Sequence, residues 1–127
     1  ALDTNGDGVL DSIELFDPGS GTFAEAPYRL RSGRYYHTSA LIRDGTVLVF
    51  GGHSGENLPS QCAPMLAEVD RVDAAAGLGT PFASMPNANA GLTAVTLLDG
   101  TVVAAGGGGC TTGSALPDIL YLRGRID

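Results

Sequence analysis

Residues 3–14, DTNGDGVLDSIE, place oxygen donors at alternating positions on a turning backbone. They fit the twelve-position pattern D-x-[DN]-x-[DN]-G-x5-E, in which a hard divalent cation is held by oxygens alone. Asp3, Asn5 and Asp7 would supply side-chain oxygens and Val9 its carbonyl. Asp11 would act directly or through a water, and Glu14 would close the sphere with two oxygens. Gly8 permits the sharp turn. Packed this closely, the carboxylates repel one another unless a cation sits between them, and the expected cation is Ca2+. The alternative is a metal-free turn rich in Asp and Asn that bond their own backbone. Only Ala1 and Leu2 precede the loop, and Leu15-Phe16-Asp17-Pro18-Gly19 reads as strand then turn. Pro18 and Gly19 oppose a following helix. The loop is therefore expected at the entrance of a β-strand. Glu14, already in that strand, is the ligand whose direction is least fixed.

The element expected to organise the chain lies further on, in residues 34–52, RYYHTSALIRDGTVLVFGG. Residues 37–43 read as one strand, Asp44-Gly45 as a tight turn, and residues 46–50 as a second strand rich in β-branched side chains. Gly51-Gly52 ends it. The pattern recurs in residues 93–107, TAVTLLDGTVVAAGG. Asp44-Gly45-Thr46-Val47 and Asp99-Gly100-Thr101-Val102 stand 55 positions apart, as do Gly51-Gly52 and Gly106-Gly107. A fixed period of this size signals a repeat architecture. Short strands at residues 13–17, 69–73 and 119–123 recur in the same order. Residues 26–33 and 53–64 read as irregular connections.

Composition narrows the class. The chain of 127 residues is 43% hydrophobic and 17% charged, which suits a globular domain with a modest core. No apolar run approaches the ~20 residues of a membrane helix. The net charge of −7 makes the chain a poor binder of nucleic acid or anionic membrane. All seven basic residues are arginines, and Arg29, Arg31 and Arg34 read as a solvated loop face. The glycine run at 106–109 lacks a following Lys-Ser/Thr, so it reads as close backbone approach and not as a phosphate cradle. Cys62 and Cys110 each follow a Gly-Gly strand end. Neighbouring repeats would bring those loops together, so either the two form a disulfide in an oxidising compartment or both are small buried thiols. With no CxxC pair, a zinc site is not expected.

Together, R-x-x-H before a strand, Asp-Gly-Thr-Val, a strand ending Gly-Gly, a strand ending in Asp, and Gly21-Thr22-Phe23 beside Gly79-Thr80-Pro81-Phe82 resemble the kelch repeat. The resemblance covers residues 12–123. It departs at Ala90-Gly91-Leu92, which stands where the first repeat has Tyr35-Tyr36-His37. The resemblance implies an all-β fold of four-stranded antiparallel β-propeller blades. Residues 1–14 would form an EF-hand-like calcium loop without helices, and residues 12–127 the kelch-like segment.

Strands counted along the chain number two, then four, then three, about two and a quarter blades. A closed ring takes four to eight. Further blades, from the same longer chain or from identical subunits, are the expected partners. The function that follows is non-enzymatic: a secreted, extracellular or periplasmic, calcium-stabilised module for assembly or binding. Two other functions stay open. Tyr36-His37 is similar to the adjacent Tyr-His copper pair of galactose-oxidase-like copper radical oxidases, although copper needs three or more such ligands and the only other histidine is His53. The loop at 53–64 would suit a glycan or a protein ligand.

Overall fold

The computed structural model describes residues 8–55, 64–76, 78–108 and 119–122, and of 78–79 and 119–122 the backbone alone. Every regular element among them is a strand. A first sheet pairs β1 (Ser12–Asp17) with β2 (Thr22–Arg29). A second runs in the order β3 (Thr38–Leu41), β4 (Val47–Phe50), β5 (Glu68–Asp73), β6 (Leu78–Ser84). The third holds β7 (Ala90–Thr96), β8 (Val102–Gly108) and β9 (Ile119–Leu122). All pairings are antiparallel. The two-four-three grouping is the one counted along the sequence.

The repeat is visible in hydrogen bonds. In the β3–β4 hairpin, Ile42 N–H donates to Thr46 O (2.9 Å) and Gly45 N–H to Ile42 O (3.0 Å). In the β7–β8 hairpin, Leu97 N–H donates to Thr101 O (2.8 Å) and Gly100 N–H to Leu97 O (2.9 Å). Each loop thus has three residues, one more than Asp-Gly alone suggested. A β-turn is followed by one left-handed residue, Gly45 at φ 87° and Gly100 at φ 86°. Asp44 and Asp99 each accept the amide two residues on, at 2.9 Å. The extra residue frees Arg43 to donate to Leu98 O across to the third sheet. The other hairpins also match: Asp17 accepts Gly19 N–H (2.8 Å) after β1, and Asp73 accepts Ala75 N–H (3.1 Å) after β5. So β1–β2 corresponds to β5–β6.

One expectation changes here. The connection expected at 26–33 begins as strand, since β2 runs to Arg29 through Pro27. Proline is tolerated because β2 is an outer edge, and β6, the outer edge of the second sheet, carries Pro81 likewise. A missing N–H on each outer edge also blocks further pairing there.

The core lies between the second and third sheets. Ala40, Ile42, Leu48, Phe50 and Val69 of the second meet Leu92, Val102 and Ala104 of the third, with Met85 beside them. In a strand, residues two apart share a face. The second sheet's forward face (Ala40, Ile42, Leu48, Phe50) therefore packs on the third sheet's rear face (Leu92, Ala94, Val102, Ala104). Shifted by 55 positions, the forward set becomes Val95, Leu97, Val103 and Ala105, which the third sheet turns outward. Ala40 is 7% and Ile42 3% exposed, whereas Val95 is 52% and Leu97 45% exposed. The sheets stack with one polarity, forward on rear.

Candidate functional site

The second sheet's rear face looks toward the first sheet, and the two enclose an open cavity of about 460 Å3. Val47, Val49 and Val72 form one wall and Leu10, Ile13 and Leu15 the other. Arg34, His37, Ser39 and Glu14 provide its polar groups. The correspondence of β1–β2 with β5–β6 says what is missing there. In the second sheet, β5 has β4 on its inner side. Among the described strands nothing pairs with the equivalent edge of β1.

Beside the cavity lies a buried ion cluster, where the sequence suggests a solvated loop face. Arg34, expected on a solvated loop, has a side chain 0% exposed. Its Nη2 donates to Asp70 and to Glu68, both at 3.0 Å, and its Nη1 to Gly51 O at 3.2 Å. Arg31 binds the other oxygen of Asp70 at 2.6 Å. Ser32 donates to Glu68 at 3.2 Å. Two arginines and two carboxylates leave the cluster formally neutral, as burial requires. The available signal was Asp70 itself, an acid at an inward position of the strand VDRVD, which needs a buried cation.

The third sheet solves the same position without charge. Asn89 stands 55 residues after Arg34 and donates from Nδ2 to Gly106 O (2.7 Å), as Arg34 does to Gly51 O. Val49 pairs with Asp70, and Ala104, 55 positions after Val49, pairs with Leu120. Arg and Asp in one sheet are thus Asn and Leu in the next. The glycines beside them are fixed by space, as expected of close backbone approach. A Cβ on Gly107 would lie 2.1 Å from Asn89 Oδ1 and 2.7 Å from Ala90 O, and one on Gly52 2.8 Å from Tyr35 O.

Of the calcium loop, Asp3, Asn5 and Asp7 lie outside the described residues. Val9 is buried, with Gly33 against its carbonyl. Asp11 is held by Arg29 at 2.6 Å, which raises the Arg29 pKa further, first through the hydrogen bond and then through charge. Glu14 sits in β1 opposite Glu25. The donor set is all oxygen and suits a hard cation. Asp11 would reach one through water while keeping its arginine, or directly by releasing it. Cys62 and Cys110 also lie outside the described residues.

Tyr36 and His37, the alternative copper pair, part company. His37 faces the cavity, where partial desolvation first and Arg34 second lower its pKa although the ring stays open to solvent. Tyr36 is 69% exposed and lies beside Tyr35 and His53. Among the described residues no three His, Cys, Asp or Glu side chains converge to hold a metal. No protein-family model matches the chain, and comparison with curated proteins finds no significant match.

Proposed function

We propose that the chain is a segment of a kelch-like β-propeller acting as a structural and assembly module, not an enzyme. The observation that carries this reading is the one-way stacking, with the forward face of the third sheet bare where its counterpart in the second is covered. Stacking of this kind is heterologous and leaves unlike faces at the two ends, each suited to another blade. Covering the exposed halves of Val95 (52%) and Leu97 (45%) gains about 1 kcal/mol apiece. That falls short of the roughly 4–15 kcal/mol lost on association. Side-chain burial alone therefore gives weak contact. Strand pairing along the free edge of β1, by an inner strand of a neighbouring blade, would add the rest.

The expected outcome in sedimentation equilibrium is association that rises with concentration and is reversed by Val95→Asp. A wild-type chain as monomeric as the variant at every concentration contradicts the reading. The N-terminal loop fits the same role as a calcium-dependent clamp on β1. A Cys62–Cys110 bridge, as expected outside the cell, would leave no thiol to alkylate in the folded, unreduced chain.

A further inference from the structure

Tyr36 has φ 56°, the only non-glycine residue with positive φ among those described. L side chains are strained in this region. The repeat shows that the fold, not the side chain, demands the conformation. Position 91, 55 residues on, has φ 72° and is glycine. The two backbones touch there, Gly91 N–H donating to Tyr36 O at 2.8 Å. The chain therefore uses glycine at one copy of this position and accepts strain at the other. Burial does not explain the choice, since Tyr36 is 69% exposed.

What the ring joins is an aromatic surface. Tyr35 stacks on His53 with centroids 5.2 Å apart at 29°, and a two-way backbone bridge holds both. Tyr36 stands against them, 5.3 Å from Tyr35 at 58° and 6.2 Å from His53 at 76°. At these separations the rings touch, so no cation fits between them as in an aromatic cage. A ligand must lie on the outer face of Tyr36. That face suits a molecule with an apolar side and hydroxyls around its rim, which a tyrosine contacts with ring and hydroxyl together. The net charge of −7 disfavours a polyanion.

We propose that Tyr36, backed by Tyr35 and His53, is a stacking platform for a neutral β-linked pyranose chain. Equatorial linkages make such chains flat ribbons with C–H bonds on their faces. The proposal rests on the hairpin repeat and names a ligand for the module, independently of how its sheets assemble.

The test uses the full chain with cellohexaose, chitohexaose and the α-linked maltohexaose. Binding is followed by calorimetry and by tyrosine emission, which no tryptophan obscures. Expected is binding of at least one β-linked oligomer in preference to maltohexaose. Tyr36→Gly is expected to weaken it at least about tenfold with an unlowered melting temperature. Val95→Asp, which addresses assembly alone, should leave binding unchanged. Three results overturn the proposal: no β-linked oligomer bound at about 10 mM, where a millimolar Kd is nearly saturated; binding retained in Tyr36→Gly; or a Tyr36→Gly chain that loses its fold, which would make the ring a structural staple. A circular dichroism melt and one-dimensional NMR of the variant decide that last case.

Discussion

Asn89 and Leu120 offer a way to test the sheet correspondence by transplantation. Arg34→Asn should keep the bond to Gly51 O, since Asn89 already makes it to Gly106 O. It strips Asp70 of its fully buried partner and leaves it Arg31, whose side chain is 35% exposed. Asp70→Leu leaves Arg34 buried with Glu68 alone. Breaking a buried pair from one side costs about 3–5 kcal/mol. Arg34→Asn should fall at or below the low end, because Arg31 remains, and Asp70→Leu near the middle. For a chain of this length about 3 kcal/mol lowers the melting temperature by roughly 10 °C. The double variant copies the third sheet's solution. It should be more stable than the sum of the singles predicts, with a coupling of about 2 kcal/mol. Urea denaturation of all four proteins measures that coupling. Strict additivity, or a double variant worse than the sum, would refute the assigned correspondence of the two sheets.

Other expectations follow from single sites. The lowered pKa of His37 means the unfolded chain binds the proton more readily, so stability should drop as pH falls below about 6.5. His37→Leu, the residue found at position 92, should flatten that slope in melts between pH 7 and 5. Asp44 and Asp99 are held below the ordinary carboxylate range, chiefly by hydrogen bonds from Thr46 and Thr101 respectively. Their contribution is present above about pH 3.9 and lost as pH falls through the lowered folded values, so a double Asp→Asn variant should be less acid-sensitive than wild type. Gly107→Ala meets Asn89 Oδ1 at 2.1 Å at φ 87° and should cost several kcal/mol, read as a fall in urea midpoint. Chelation should lower the melting temperature, with calcium restoring it; an unchanged midpoint counts against the loop as a calcium site.

The strand order was legible because its signals are local. Asp-Gly-Thr turns, alternating apolar residues and Gly-Gly ends each act within a few positions, and their 55-residue recurrence set the grouping. The three-residue loop is not legible, because the same Asp-Gly serves either loop length. The burial of Arg34 is hidden for a similar reason. Three arginines in a row of loop residues look solvated until Asp70, 36 positions away, is brought under them. In sequence, Tyr36 beside His37 reads as a ligand pair. Its positive φ is a property of the fold, shared with Gly91 at the equivalent position, and no local residue pattern signals it.

The most direct measurement is an experimentally determined structure of the protein at the concentration where it associates. The account predicts a further sheet on Val95, Leu97, Val103 and Ala105, presenting residues placed like Leu92, Ala94, Val102 and Ala104. A stable lone subunit with that face open to water, or partners joined through the proline-bearing edges β2 and β6, would contradict it.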